Sequence, residues 1–144
     1  MIKQPSFLPI SIQEAKNLGI EQFDIILVSG DAYVDHPSFG AGLLGRVLWD
    51  AGYAVGIVAQ PDWKKDEDLL RLGRPRLFFG ITSGNVDSMV NNFTPNLKRR
   101  RRDVYSPGGR LLRPDRAAIV YANQVHSLFP EVPIVLGGIE ASLR

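Results

Sequence analysis

Four short polar segments, each directly after a predicted strand, hold the residues of this chain best suited to chemistry. They combine glycine with hydroxyl, amide or carboxylate side chains, and they span residues 29–31, 60–63, 82–85 and 137–140. Glycine lets a ligand approach the backbone closely, and short polar side chains can hydrogen-bond it without bulk. In a doubly wound sheet, ligands bind outside the carboxyl ends of the strands. These segments therefore predict a binding edge, although loops after strands are commonly polar for other reasons.

Ten residues at or near these strand ends are the candidates for contact with a ligand or with another domain. Either role fits, because interfaces between domains use the same kind of polar loop. No catalytic residue and no metal ligand is assigned among them. The candidates are Ser29, Gly30, Asp31, Asp35, His36, Thr82, Ser83, Asn85, Gly138 and Glu140.

Two further motifs resemble cofactor sites but depart from the required pattern. Residues 40–45, GAGLLG, match G-x-G-x-x-G, yet a long loop separates them from the first strand, and Gln60 stands where a ribose-binding acid is needed. Glycines that let a helix pack tightly on the sheet are the favoured interpretation. Asp35 and His36 are adjacent, whereas a histidine ligand to cobalamin needs Asp-x-His-x-x-Gly, so we do not expect cobalamin to be bound.

The chain contains no cysteine, which excludes a thiolate nucleophile and thiolate ligands for an iron–sulfur cluster within it. Histidine, aspartate and glutamate show no pair at metal-binding spacing. We therefore expect no metal and no cofactor in these 144 residues.

A run of five cations is the one feature that points to nucleic acid. A solvated loop, or one that closes over an anionic substrate or a second domain, is favoured, because only Phe93 and Tyr105 are available nearby for base stacking. A stand-alone module that binds RNA or another polyanion is the alternative. The cations are Lys98, Arg99, Arg100, Arg101 and Arg102.

The apolar pattern predicts an α/β fold with an open parallel sheet of four to five strands and helices on both faces. Unbroken apolar runs, typical of strands covered on both sides, predict strands at 24–28, 54–59, 77–82 and 132–136. Strands that alternate with helices favour a flavodoxin-like order. The last strand lacks the helix and strand that would normally follow it, so we expect a chain truncated at its C-terminus.

Helices are expected at 12–18, 40–51, 66–72, near 86–93 and from Pro114. Ser11 and Glu14 form a capping box for the first of these helices. In the last helix, the spacing of Ile119, Ala122, His126 and Phe129 predicts one continuous face that ends at Pro130. Residues 94–113 lack periodicity and are expected to form an extended, exposed loop.

The length of 144 residues fits one domain. No apolar run approaches the ~20 residues needed to span a bilayer, and the N-terminus has no signal-peptide core. A cytoplasmic protein without membrane contact is the simplest expectation.

The chain resembles the start of the YgiQ-type family of radical S-adenosylmethionine (SAM) proteins. The resemblance covers nearly the whole chain and depends on six blocks in the same order. They are FLPIS (7–11), DIILVSGDAYVDHPSFG (24–40), VGIVAQPDW (55–63), LFFGITSGNVDSMVNN (77–92), RPDRA (113–117) and VPIVLGGIEASLR (132–144).

The resemblance implies that residues 1–144 form an N-terminal accessory domain, similar in fold to cobalamin-binding domains and placed before a radical SAM barrel. In that family a downstream C-x-x-x-C-x-x-C loop holds a 4Fe-4S cluster that binds SAM and generates a 5′-deoxyadenosyl radical. We expect this domain to cap that barrel or to position its unknown substrate, without being catalytic itself. The candidate residues at the strand ends would then line the face that meets the barrel.

Overall fold

The computed structural model of the chain describes residues 4–144, and its centre is a four-stranded, all-parallel sheet. The strand order is β2-β1-β3-β4, which confirms the flavodoxin-like expectation. Because the chain passes from β1 to one side and then returns to the other, the order reverses between β1 and β3. The strands are β1 (Ile25–Ser29), β2 (Val55–Ala59), β3 (Phe78–Thr82) and β4 (Ile134–Leu136).

In the described range 4–144, one α-helix precedes these strands, and five α-helices and one 3₁₀ turn connect or follow them. They are α1 (Ile12–Asn17), α2 (Gly40–Asp50), α3 (Glu67–Leu70), α4 (Ser88–Asn92), the 3₁₀ turn Pro107–Gly109, α5 (Ala117–Leu128) and α6 (Gly138–Leu143). Within residues 4–144, none of the helices combines the length and the apolar character needed to cross a membrane.

The two faces of the sheet are covered by different helices. Helix α2 packs on β1 and β2, and a β-carbon added to its Gly45 would lie 3.7 Å from Ile57 Cδ1. Helix α5 packs on β3 and β4, where Phe79 meets Phe129 with ring centroids 5.1 Å apart. Phe79 and Ile57 point to opposite faces because Ile57 is paired through Leu27 with Gly80, the neighbour of Phe79.

The predicted face of α5 is right only in part, because Ala122 and Phe129 pack against the core but the other two residues do not. Ile119 and His126 are exposed, whereas Ala117, Tyr121 and Val125 are buried. Small alanines at the start of the helix let it approach the sheet, so the buried stripe lies on a side that contains fewer large apolar residues. The helix also begins at Ala117 rather than near Pro114.

Two other expectations need correction. The last strand, β4, is an edge strand whose Val135 and Leu136 are about half exposed, and it is followed by helix α6, which the sequence analysis treated as loop. The segment 94–113 is only partly exposed, because Asp103 and Arg113 are buried within it. Charged side chains are this deeply buried only where partners compensate them, and those partners belong to the candidate site.

Candidate functional site

A buried ion pair lies at the carboxyl end of β1. Arg113 Nη2 donates to Asp31 Oδ1 at 2.6 Å, and both side chains are almost fully excluded from solvent. The second carboxylate oxygen of Asp31 accepts the backbone N–H of Asn85 at 2.7 Å. Burial raises the pKa of the Asp31 carboxyl, while the charge of Arg113 and the hydrogen bond from Asn85 act in the opposite direction. Asp31 is thereby fixed in position by its own chain.

The other two nitrogens of the Arg113 guanidinium connect the segment that follows the basic run to the end of β3. Its Nη1 donates to the Ser83 carbonyl at 2.6 Å, and its Nε donates to Asp103 Oδ2 at 3.3 Å. Asp103 also accepts the Tyr105 backbone N–H at 2.8 Å, and the Tyr105 ring lies 5.8 Å from the guanidinium carbon. We call Asp31, Asp103 and Arg113 the buried clamp. It connects the ends of β1 and β3 with a segment that is remote in sequence.

At two glycines of this edge, other parts of the same chain lie close against the glycine backbone. A β-carbon on Gly30 would lie 2.1 Å from the Ser83 carbonyl oxygen. Gly84, with φ +111°, has Asp31 Oδ1 2.1 Å from the place where its β-carbon would be. The glycines are therefore needed for the clamp to form. From the sequence alone, a glycine that makes room for another part of the chain cannot be distinguished from one that makes room for a ligand.

Glu140 is a second buried carboxylate at the same edge. Its Oε2 accepts the N–H of Ser88 at 2.6 Å, and its Oε1 accepts the N–H of Ala118 at 3.0 Å. These amides belong to the first turns of α4 and α5, where backbone donors lack partners within the helix and the helix dipole favours a negative charge. One carboxylate therefore caps two helices.

The first loop positions Asp35 and His36 away from the clamp. Asp35 forms an ion pair with Arg46 of α2, whose Nε donates to Oδ1 at 3.0 Å. Hydrogen bonding from Arg46 holds the pKa of the Asp35 carboxyl below its usual value. Arg46 also donates to the carbonyls of Pro5 and Ser6, so this pair joins the N-terminal segment to α2. His36 is exposed, and its Nδ1 accepts the Ser38 N–H at 3.1 Å.

The remaining candidates surround the end of β3. Thr82 Oγ1 accepts the Gly84 N–H at 3.1 Å, and the Asn85 side chain donates to the Ser38 carbonyl at 2.9 Å. Ser29 Oγ accepts the Asp31 N–H at 3.1 Å. Gly138, with φ +84°, lies against Thr82, whose Oγ1 would be 2.5 Å from a β-carbon at that position. We call the set Ser29, Asp31, Thr82, Gly84, Asn85 and Gly138 the rim.

The basic run is not uniformly available. Arg99 pairs with Asp115 at 2.7 Å and stacks over Phe93, 4.6 Å from its ring centroid. Burial would raise the pKa of Asp115, but hydrogen bonds from Arg99 and Asn92 outweigh it and keep that pKa below its usual value. Arg100 donates to backbone carbonyls of α4 and its C-terminal cap. Within residues 4–144, the other three cations of the run form no ion pair: Lys98, Arg101 and Arg102.

An apolar groove of about 420 Å³ opens beside the rim, on the same face of the sheet as α2. Leu27, Phe78, Gly80 and Val135 contribute to its floor. Leu44 and Val47 of α2 line one side, and Ile139 of α6 lines the other. We call this feature the apolar groove. It is lined mainly by apolar side chains and adjoins several of the candidate residues.

The sequence analysis missed Arg113 and Asp103, which decide the geometry of the edge. The available signal was an isolated aspartate, Asp31, after a fully apolar strand, because a carboxylate there needs a cation or several donors. Nothing in the sequence indicated that the cation lies 82 positions away.

The donor atoms present do not fit a 4Fe-4S cluster, because the chain has no cysteine. Across residues 4–144, no group of three or more histidine, aspartate or glutamate side chains could hold a metal ion.

Comparison with known proteins gives a consistent picture. Residues 7–144 match the family model described as Radical SAM N-terminal. The UPF0313 protein of Methanosarcina acetivorans is 62% identical over 139 residues, which cover 96% of this chain and 19% of that protein. The UPF0313 protein of Thermotoga maritima is 60% identical, with 96% and 24% covered. One from Clostridium botulinum strain 657 is 55% identical, with 96% and 22% covered.

The chain thus spans about a fifth to a quarter of the length of these curated relatives. No solved structure matches the chain significantly.

Proposed function

The chain belongs to the radical SAM N-terminal family, and from that premise we propose that it is the non-catalytic accessory domain of a longer radical SAM protein. In this role residues 1–144 act as one domain that caps the catalytic barrel or helps to position its substrate. The 4Fe-4S cluster and SAM bind in another part of the longer protein. The observation that carries the proposal is the match of nearly the whole chain to this family.

The chemistry of the edge supports a platform rather than a reaction centre. The carboxylates of Asp31 and Glu140, which would be the natural acids or bases, are buried and already hydrogen-bonded by Arg113 and by backbone amides. Groups held in this way stabilise a fixed geometry, whereas a general base must reach the proton that it removes. The rim and the apolar groove together offer a surface with a polar end and an apolar length.

The rim is the part of this surface that we assign to contact with the barrel or its substrate. The Asn85 side-chain carbonyl accepts no hydrogen bond within residues 4–144, and Thr82 and Gly138 are partly exposed or exposed. On the neighbouring loop, Asp35 is held by Arg46 and His36 is exposed. Polar loops of this kind are usual at interfaces between domains.

The test uses a full-length relative, such as the Thermotoga maritima protein, and measures 5′-deoxyadenosine formed from SAM under reducing conditions. Replacing the rim positions that match Ser29, Thr82 and Asn85 by alanine is expected to leave this cleavage within about twofold of the unmodified protein. Replacing a cysteine of its C-x-x-x-C-x-x-C motif is the control, and it is expected to abolish cleavage. Rim variants as inactive as the cysteine variant would contradict a non-catalytic domain.

Binding of RNA or another polyanion is the rival function, and the salt dependence of binding separates it. Among the described residues, three cations of the basic run lie outside ion pairs: Lys98, Arg101 and Arg102. Each phosphate that a cation neutralises steepens the fall of log affinity with log salt by about 0.7 for single strands. If only these three cations contact RNA, the slope should not be steeper than about −2. A filter-binding assay with single-stranded RNA measures this slope. A slope near about −3.5, as expected when all five cations neutralise phosphates, would favour RNA or polyanion binding as the function if the affinity is lost on replacing the five cations by alanine.

A further inference from the structure

The sheet is covered unevenly, and the uncovered part is apolar. Parallel sheets of this class have helices over both faces, because their strands are apolar on both sides. Helix α5 covers β3 and β4 on one face. On the other face α2 packs mainly on β1 and β2, and the short helix α6 contacts β3. The part of the groove floor formed by Phe78, Gly80 and Val135 therefore lies between α2 and α6, with no further helix packed on it within the part of the chain that the structure describes.

The side chains around the groove are exposed to an unusual degree for their type. Val47 on α2 is 57% exposed, Leu44 is 54% exposed, and Val135 on β4 is 51% exposed. Ile139, on the opposite side, is 51% exposed. A continuous apolar patch of this kind marks an interaction surface rather than ordinary scattered exposure.

The shape of the groove favours a helix over a small ligand. It follows β3 from Phe78 to Thr82, and five strand residues extend about 16 Å at ~3.3 Å each. About ten to eleven helical residues cover that length at 1.5 Å each. A ligand bound at a topological switch point would need only the strand ends, whereas this groove continues to the first residue of β3.

The longer relatives supply polypeptide for this position. More than three-quarters of each relative lies outside the part that matches this chain, and the family is described as N-terminal. Helix α6 contributes Ile139 to the groove, so polypeptide that follows α6 is tethered beside it. Tethering raises the effective concentration of such a segment greatly.

We propose that in the longer proteins of this family the apolar groove is filled by an amphipathic helix of the same polypeptide, from the region that follows the position of residue 144. Its apolar face, with large aliphatic or aromatic residues at i, i+3, i+4 and i+7, packs on β3 and β4 beside α2. Its end nearest the rim carries polar side chains that reach Thr82 and Asn85. The proposal rests on the proposed function, because it takes this chain to be one domain of a longer protein.

The experiment places a photo-cross-linking benzoylphenylalanine in the full-length Thermotoga maritima relative at the position that matches Val47. The matched control places it at the position of Ile119, which is 56% exposed on α5 but does not line the groove. After irradiation, mass spectrometry identifies the cross-linked peptide. We expect the Val47 position to cross-link to a single helical segment outside the matched region, at least fivefold more than the control.

Cross-links to a second copy of the chain, equal yields at the two positions, or no cross-link would each overturn the proposal.

Hydrogen exchange gives a second measurement that needs no substitution. The β4 amides should exchange at least tenfold more slowly in the full-length relative than in the 144-residue chain, and equal rates would contradict the proposal.

These results are separable from a failure of the proposed function. A cross-linked groove in a protein that neither holds a cluster nor cleaves SAM would refute the function and leave the groove assignment intact. Normal SAM cleavage without a cross-link would refute the groove assignment alone.

Discussion

At the scale of single residues, Arg113 determines how the edge of the sheet is held. It is the only cation within hydrogen-bonding distance of Asp31 and Asp103 among residues 4–144, and all three side chains are buried. Removing one partner of a buried pair leaves an uncompensated charge, which costs far more than the net value of the pair. Arg113 therefore fixes the position of Asp31 and of the Ser83 carbonyl at this edge.

Replacing Arg113 by alanine is expected to lower the free energy of unfolding by about 3–5 kcal/mol, because two carboxylates remain buried without their cation. Urea denaturation of the 144-residue chain measures this loss. Arg99→Ala is the control, since its pair with Asp115 is about half exposed and should contribute less than about 1 kcal/mol. Similar losses for the two variants would mean that the clamp is not a structural element.

The pair of Asp35 with Arg46 should be visible in the pH dependence of stability. Because the folded-state pKa of Asp35 is lowered, its contribution is fully present above the unfolded value of about 3.9 and is lost as the pH falls through the folded value. The stability difference between the unmodified chain and Asp35→Asn should therefore be largest near neutral pH and shrink below about pH 4. Thermal unfolding at several pH values measures it.

Arg46→Gln provides the control, because without the arginine the effect of Asp35→Asn should lose its pH dependence. Asp31 acts with the opposite sign. Because the pKa of Asp31 is raised in the folded state, its contribution to the free energy of unfolding falls as the pH rises from the unfolded-state pKa to the folded-state pKa. A difference between the unmodified chain and Asp35→Asn that stays constant from about pH 3 to pH 7 would contradict this assignment.

At the scale of elements, Glu140 explains why α6 forms where the sequence analysis expected a loop. The helix begins at Gly138, a residue with low helix propensity, and spans only six residues. It is stabilised by tertiary contacts, since Glu140 accepts amides from both α4 and α5. Such a helix cannot be found from local sequence signals.

Glu140→Ala should lower the free energy of unfolding by about 3–6 kcal/mol, because Glu140 accepts two backbone hydrogen bonds and hydrogen bonds to a buried charge are worth about 1.5–3 kcal/mol each. It should also speed hydrogen exchange at the Ser88 and Ala118 amides. Glu131→Ala is the control, because Glu131 is exposed and pairs only with Arg74. A Glu140 variant as stable as the control, with unchanged exchange, would show that this carboxylate does not cap the helices.

The elements that the sequence predicts correctly are those with a strong local signal. The apolar runs of β1, β2 and β3 are each placed within one residue, and Ser11 Oγ accepts the Glu14 N–H at 3.2 Å as the capping box requires. The buried face of α5, with Tyr121 and Val125, depends on where the helix meets the sheet. The clamp joins Asp31 to Arg113 across 82 positions, and single-sequence patterns contain no information on such a pairing.

At the scale of the whole molecule, one sheet combines an edge held by buried hydrogen bonds with an exposed apolar face. The clamp and Glu140 fix the carboxyl ends of β1 and β3, while the apolar groove remains uncovered beside them. The longer relatives contain at least three times as much polypeptide outside the match as within it. The proposed function therefore places the reaction in that polypeptide and the supporting surface in the part that this chain represents.

Anaerobic reconstitution with iron and sulfide tests this division most directly. The 144-residue chain and a full-length UPF0313 relative are treated in parallel, and the iron content and the 4Fe-4S absorbance are measured after removal of unbound metal. We expect a cluster in the full-length relative and none in the 144-residue chain. Stoichiometric cluster uptake by the 144-residue chain, or none by the full-length relative, would contradict the account.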